Sequence, residues 1–377
     1  MKNIIKKIEA DLESADIQIN GTRPWDIQVL DDRLFDRVVS KGSLGLGEAY
    51  MDGWWEAEAL DQFFTRVLRA ELEKKHALTP TLVFEHVKAM LTNQQRKEKA
   101  YEIGEQHYDV GNDLYKLMLD KRMVYTCGYW QGAETLDEAQ EAKLDLVCKK
   151  IDLQPGQRVL DIGCGWGSFA KYAAETYGAE VVGITVSKEQ VDLARERCKG
   201  LPVEIRFQDY REIDEPFDRI VSLGMIEHVG SKNYRTYMQA VHRCLKDDGI
   251  FLLHTIGGNE SVRTTDPWIE KYIFPNSQLP SIRQLSLAAE GLFVMEDWQN
   301  FGAYYDKTLM AWYQNFDNHW DELKPNYSEE FYRMWKYYLL SCAGSFRVRK
   351  NQLWQVVFSK RGIPGGFVAP RYRTEDE

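Results

Sequence analysis

Long apolar runs are missing from this 377-residue chain. No stretch approaches the roughly 18 consecutive apolar residues that mark a membrane-spanning helix, so none is read here. An excess of positive charge is missing too: 48 Lys and Arg stand against 58 Asp and Glu, a formal net charge of -10. That balance excludes broad nucleic-acid binding, which needs a basic surface, and gross electrostatic adhesion to anionic lipid. The six cysteines, at 127, 148, 164, 198, 244 and 342, form no CxxC pair and no zinc-finger or ribbon spacing, so no metal site is read from them. The start, MKNIIKKIEADLES, has an apolar run too short and too broken by charge for a signal peptide. The expectation is a cytosolic chain with reduced thiols, most of them small core residues. Internal repeats and low-complexity tracts are absent.

Aromatic side chains are plentiful, with 11 Trp, 20 Tyr and 16 Phe. This supply suits an apolar substrate, although aromatic cores are commoner than aromatic binding sites. Any membrane contact has to be local, through aromatic and apolar side chains with a few lysines and arginines. The length favours two domains. The first ~95 residues read as largely helical; Leu60, Phe63, Phe64, Val67, Leu68 and Leu72 share one helical face. The Phe pair reads as core. Before it, Gly42, Gly45, Gly47 and Gly53 are expected to break regular structure around Trp54 and Trp55. The polar run from Thr92 to Glu105 reads as a linker.

From about Leu136 helices and strands alternate. Ala139, Ala142, Leu146 and Val147 mark a helix, and RVLDIG after Pro155-Gly156 marks a strand. Further strands are expected at EVVGITV, 204–208, 219–223 and 249–256, with helices after Gly167 and from Lys188 to Cys198. Two more strands are expected near 293–301 and 352–358, separated by an aromatic-rich helical segment. This alternation predicts a parallel sheet covered on both faces. Residues 257–295 interrupt it with a Pro/Gly-rich stretch, the kind of insertion that forms a lid or substrate wall.

The strongest local signal is Val159-Leu160-Asp161-Ile162-Gly163-Cys164-Gly165-Trp166-Gly167. An apolar strand meets three glycines, which let the backbone turn tightly and approach a ligand, at the crossover where nucleotide-like ligands sit in open α/β sheets. A nicotinamide loop would carry its third glycine at 168, where this chain has Ser. Asp161 suits an ammonium group better than a pyrophosphate. The pattern resembles motif I of class I S-adenosylmethionine methyltransferases, whose acid is expected to bind the methionine amine. The second strand of such folds commonly ends in an acid for the ribose; here it ends in Thr185, so Thr185 and Gln190 must serve. Asp209 suits the adenine edge.

GSLGLGEAYMDGWW (42–55), HYDVGNDLY (107–115), YTCGYW (125–130), GITVSKEQ (183–190), QDYR (208–211), MIEHVG (225–230), LLHTIG (252–257) and NFGAYYDKTLMAW (300–312) flank that loop in order. Together they resemble the cyclopropane-fatty-acyl-phospholipid synthases over nearly the whole chain. The resemblance implies a class I methyltransferase, Rossmann-like doubly wound α/β sheet with a small, mostly helical N-terminal domain. Residues 1–95 would form that domain and bind lipid or membrane, 96–135 a linker and active-site lid segment, and 136–377 the catalytic domain, with a substrate insertion at about 257–310. The implied reaction moves a methylene group from S-adenosylmethionine to the cis double bond of an unsaturated phospholipid chain. Methyl transfer to an isolated alkene leaves a carbocation whose new methyl is very acidic, so a dry site with one weak base closes the ring, whereas water would trap an alcohol.

In the resembling enzymes the base is bound bicarbonate, which the likeness assigns to Cys127, Glu227, His254 and Tyr305. Taken singly, Cys127 reads as a buried thiol, His254 as a satisfied core histidine and Glu227 as a helix-start acid. Only their joint occurrence makes a site. Cys342 is a low-weight catalytic candidate, since transfer to an alkene requires no covalent enzyme intermediate. Donor binding is expected at Tyr125, Thr126, Asp161, Gly163, Gly165, Gly167, Thr185, Gln190, Asp209 and Tyr210. The implied partners are a phospholipid with unsaturated chains and the inner face of the cell membrane, met peripherally from the cytoplasm; the family often forms dimers, so a homodimer is allowed. Two other readings compete: a related methyltransferase for another alkene or a small amine, and a non-catalytic lipid-binding protein that kept the fold. The full set of ion ligands and the complete glycine loop count against both.

Overall fold

The computed structural model describes residues 2–72, 111–262 and 264–370, residues 2–5 by their backbone alone. The linker read at 92–105 and the first four residues of the 107–115 motif lie outside the described residues. The chain sorts into two compact units, one drawn from Met1–Thr92, Arg263–Pro275 and Tyr305–Asn351, the other from Asn93–Val262, Asn276–Tyr304 and Gln352–Glu377. Among the described residues no helix is long and apolar enough to cross a membrane.

The first unit is built mainly from helices, Lys2–Ser14, Arg33–Lys41, Ser43–Met51, Leu60–Arg69, Pro267–Tyr272 and Glu329–Arg347 among them, with a two-stranded antiparallel ribbon of β1 (Gln28–Val29) and β2 (Trp55–Glu56). Phe63 and Phe64 are buried. Their rings join Trp55, Tyr50 and Tyr337 in a chain of edge-on and tilted contacts at 5.0–6.5 Å. The glycines around 42–53 do not break the chain as expected: Ser43–Met51 is a helix that contains Gly45 and Gly47. The reason is close approach. A Cβ at Gly45 would overlap the Arg37 carbonyl, and one at Gly47 would overlap the Trp268 ring. The helix therefore accepts glycine's entropic cost so that its backbone can lie against two neighbours. Gly42 and Gly53, both with positive φ, end the regular structure on either side.

The second unit carries a seven-stranded sheet in the order β5-β4-β3-β6-β7-β9-β8. The strands are β3 (Arg158–Ile162), β4 (Glu180–Thr185), β5 (Val203–Phe207), β6 (Phe217–Leu223), β7 (Leu245–Gly257), β8 (Val294–Asn300) and β9 (Gln352–Ser359). The strands from β3 to β7 pair in parallel. The expected parallel sheet is present from β5 to β7, and beyond it β9 runs antiparallel to both β7 and β8. Alternate side chains feed two separate cores, as the two-residue period of a strand dictates. Leu160, Val182, Ile220 and Phe251 enter one, and Val159, Val181, Val221 and Leu252 the other.

Helix Leu136–Lys150 covers the second face. It starts at a capping box, Thr135 Oγ1 accepting from Glu138 N–H while the Glu138 carboxylate accepts from Thr135 N–H, which satisfies two donors that a helix start leaves open. The stretch 257–295 is not irregular throughout, since it contains the short helices Pro267–Tyr272 and Ile282–Ala289.

Replacing Gly47 by Ala should destabilise the protein by about 1–3 kcal/mol, the usual result of forcing an extra carbon into a packed contact. Urea unfolding of G47A checks this; an unchanged midpoint would contradict the packing described.

Candidate active site

Strand β3 delivers Asp161 and Ile162 to the carboxyl rim of the sheet and then leaves through Gly163, Gly165 and Gly167 at φ of +81°, +54° and +74°. These left-handed values strain any residue with a side chain. At Gly163 a Cβ would also crowd the Met225 side chain at 2.7 Å, whereas nothing lies within 4 Å of one at Gly165. The loop therefore presents bare backbone to open space. That space is a cavity of about 190 Å³. Tyr125, Thr126, Asp161, Gly163, Gly165, Thr185, Gln190, Asp209 and Tyr210 all line it; Gly167 does not, and instead caps helix Ser168–Tyr177.

Asp161 is 1% exposed, and its Oδ2 has no hydrogen-bond partner among the described residues. Burial pushes its carboxyl up to about 7, and the Lys143 ammonium opposes the rise. A buried carboxylate with an unused oxygen fits a cationic group that arrives with its own donors. Further along the rim, Thr185 Oγ1 donates to Gln190 Oε1 at 2.8 Å, and Ser187 Oγ accepts from Gln190 N–H to start helix Lys188–Arg197. Asp209 Oδ1 accepts from Arg211 N–H at 2.9 Å.

Lys143 was not singled out from the sequence, yet it lines the cavity and is fully buried. Its Nζ donates to Thr126 Oγ1 at 2.8 Å, while Gln140 Nε2 donates to the Thr126 carbonyl at 2.7 Å. Helix Leu136–Lys150 thus clamps the YTC segment from one side. On the other, Gly224 leaves room for Thr126, whose Cγ2 would lie 2.7 Å from any Cβ there. Burial pulls the ammonium down to about 8, against the pull of Asp120, Cys127 and Asp161. The available signal was a lysine falling on the apolar face marked by Ala139, Leu146 and Val147.

Glu227 and His254 stand where β6 and β7 part. Gly224 N–H donates to the His254 carbonyl at 2.9 Å, the last backbone bond of that ladder. The chain then turns away at Gly224, φ +71°, into the short turn Ile226–His228. Ile256 N–H, the donor a continued β6 would have used, instead donates to Glu227 Oε1 at 2.7 Å. The carboxylate completes the sheet. Glu227 Oε2 is buried without a hydrogen-bond partner among the described residues, and burial lifts this carboxyl to about 7.

His254 Nε2 is likewise buried and without a partner among those residues. Burial, with Lys143 and Lys150 adding to it, holds the imidazole neutral, well below its ordinary pKa. Cys127 is fully buried, and its thiol donates to the Gly128 carbonyl at 3.3 Å.

Tyr305 belongs to the first unit, packed on Phe346 and Trp312 at 4.5 and 6.0 Å. Its neighbour Tyr304 belongs to the second, edge-on to Tyr129 at 5.4 Å. Cys342 lies on helix Glu329–Arg347 in the first unit; burial of its sulfur pushes the thiol up to about 12. Such a thiol is a poor nucleophile at neutral pH.

Residues 94–356 match the family model for mycolic acid cyclopropane synthetase. The chain is similar to the cyclopropane-fatty-acyl-phospholipid synthase of Escherichia coli (strain K12), 56% identical over 362 residues, covering 96% of this chain and 94% of that one. It is 34% identical over 300 residues to cyclopropane mycolic acid synthase 2 of Mycobacterium leprae (strain TN), covering 71% and 97%. Among solved structures, mycolic acid cyclopropane synthase CmaA1 complexed with SAH and CTAB superposes with a TM-score of 0.64 at 34% identity, over 69% of this chain and 98% of that one. Coclaurine N-methyltransferase bound to N-methylheliamine and SAH reaches a TM-score of 0.69 at 24% identity, over 84% and 99%, a likeness of fold.

Because its pKa is raised on folding, Asp161 costs stability that appears as pH climbs from about 4 to about 7, where the unfolded chain ionises and the folded one resists. Asp161→Asn should therefore stabilise the ligand-free protein at pH 8 by at least ~1 kcal/mol and leave it unchanged near pH 4. Thermal melts at the two pH values check this; equal effects at both would contradict the burial.

Proposed function

The chain belongs to the mycolic acid cyclopropane synthetase family and is an S-adenosylmethionine-dependent methyltransferase that makes cyclopropanes from alkenes; we propose that its acceptor is the cis double bond of an unsaturated acyl chain in a membrane phospholipid. The Escherichia coli relative, named for this substrate and matched over nearly its whole length, supports that choice.

We assign the donor to the cavity beside the glycine loop, because the residues there fit it. Asp161, buried with an unused oxygen, takes the ammonium group. Thr185 and Gln190 serve the ribose and Asp209 the adenine edge, while Tyr125, Thr126, Tyr210 and the bare backbone of Gly163 and Gly165 form the walls. Gly167 acts by starting the helix behind the loop. When bound, the donor supplies an electrophilic methyl group.

The anion site is proposed at Glu227, His254 and Cys127 of the second unit, and bicarbonate would be its occupant. The observation that carries this is a pair of buried polar atoms, Glu227 Oε2 and His254 Nε2, left without partners among the described residues. Such orphans cost roughly 1–3 kcal/mol each unless a ligand meets them. Glu227, lifted toward neutrality by burial, can hold the proton that keeps the anion monovalent. Bound bicarbonate supplies a weak base. The chain's own part is to keep water out: methyl transfer would break the sulfonium's carbon–sulfur bond, release the neutral thioether, form a carbon–carbon bond to the alkene and leave a cation on the acyl chain. Loss of one proton from the new methyl to that base would then let the ring close. Cys342 has no step here.

Contact with the membrane is proposed to be peripheral and from the cytoplasmic side. Leu30 and Val39 are exposed on the first unit, where Trp54 is stacked under Arg33 and Arg37 at 4.4 and 3.5 Å. Aromatic, apolar and cationic side chains in one region suit a lipid interface. A homodimer is compatible with this reading and is not required by it.

Lipids from cells expressing the chain should gain one CH2 per unsaturated acyl chain and lose the olefin signal in mass and NMR spectra; labelled methyl appearing only in an amine would overturn the substrate assignment. Glu227→Gln should lower kcat by about 10²-fold or more, the scale of acid–base contributions, with donor affinity kept within about twofold. Wild-type turnover in E227Q would remove Glu227 from the mechanism. Donor affinity in the wild type should weaken as pH falls below about 7, where Asp161 protonates; titration calorimetry across pH 6–8 checks this, and a flat profile would contradict the assignment.

A further inference from the structure

One fully buried polar side chain beside the proposed anion site has no part in the chemistry described so far. Gln355 lies on β9 directly across from His254 on β7. Its Nε2 lies 3.3 Å from His254 Nδ1. Phe301 meets the imidazole edge-on at 5.8 Å. The ring is thus held by an amide on one nitrogen and an aromatic neighbour, while its other nitrogen, Nε2, is buried with no partner among the described residues.

A neutral imidazole carries one N–H, and the hydrogen bond made by one nitrogen fixes which of the two bears it. Where the Gln355 amide donates to Nδ1, that nitrogen is the acceptor and the proton sits on Nε2. The opposite amide orientation would set the Gln355 oxygen against Nδ1 and demand a proton there. It would leave both amide hydrogens unused, where the first leaves Oε1 without a partner among the described residues, and would aim a lone pair from Nε2 at an anion. The surroundings also keep the ring from taking a second proton, because Lys143 and Lys150 act on a buried imidazole.

We propose that Gln355 is a positioning residue that fixes His254 as the Nε2–H tautomer, so that the imidazole donates to the anion from a buried, otherwise unpartnered nitrogen. This rests on the anion-site reading above. It adds a residue that touches neither donor nor acyl chain and acts through His254, in the way that outer partners orient histidines at metal and catalytic sites. Two substitutions separate orientation from packing. Gln355→Met keeps the volume and removes the donor. Gln355→Glu offers a carboxylate that accepts from Nδ1–H and so reverses the tautomer.

The experiment is 15N NMR of the histidine ring nitrogens in the full-length protein, with His254 assigned by its loss in H254N, together with kinetics as a function of added bicarbonate. In the wild type the His254 proton should be on Nε2; in Q355E it should move to Nδ1. The apparent KM for bicarbonate should rise at least tenfold in Q355M and Q355E, with donor Kd within about twofold of wild type. A wild-type His254 protonated on Nδ1 overturns the proposal whatever the kinetics show, and this readout needs no variant to fold. A Q355M protein that melts lower yet keeps its bicarbonate KM reduces Gln355 to a packing role and also overturns it. Wild-type turnover indifferent to bicarbonate would instead sink the anion-site reading, while the NMR still decides the tautomer.

Discussion

Keeping water away from charge is the condition on which the second unit is built, and it acts at two carboxyl groups on one rim of the sheet. Asp161 is the penultimate residue of β3, and Glu227 follows β6. Each is almost wholly buried, each keeps one oxygen without a partner among the described residues, and each is lifted to about 7 by the loss of hydration. In water both would be ordinary anions. Buried, each charge needs compensation, which the proposed assignment supplies as the donor's ammonium at Asp161 and a proton at Glu227. The same dryness would protect a carbocation from solvent, so the burial that is costly for the carboxyl groups is what the proposed reaction needs.

Topology puts these groups in place without special devices. In an open α/β sheet the carboxyl ends of adjacent parallel strands define a crevice. Here β3 and β6 are neighbours, and both leave the sheet at glycines with positive φ, Gly163 and Gly224. The first turn exposes backbone; the second brings the Glu227 carboxylate round to a vacant ladder donor on Ile256. β9, the antiparallel strand, then sets Gln355 against His254. The strand that departs from the parallel pattern, one in from the β8 edge, is thus the one that reaches a proposed ligand from behind.

Much of this was legible in the residues themselves. The VLDIGCGWG run announces a strand, a turn that only glycine makes and an acid in one short window, because all three obligations are local. The strand and helix alternation behind it was equally plain, since period-2 and period-3.6 apolar patterns are written along the chain. What escaped was set by contacts between distant segments. Gly45 and Gly47 read as helix breakers until Arg37 and Trp268 are seen pressing on them. Lys143 falls on the apolar face of its helix, which hints at burial, but its bond to Thr126 depends on a contact between distant segments. Gln355 sits within an apolar strand, QLWQVVFS, and its meeting with His254 is a matter of register across about a hundred residues of sequence.

The proposed chemistry depends on the dryness of that rim, and titration of the carboxyl groups reads it directly. Protein labelled with 13C at the aspartate and glutamate carboxyls, with Asp161 and Glu227 identified by their loss in D161N and E227Q, can be followed by NMR from pH 3 to 9 without any ligand. Both carbons should shift with midpoints near 7. Midpoints near 4, the range of solvated carboxylates, would mean that water reaches both groups, and a cation formed beside them would have no shelter.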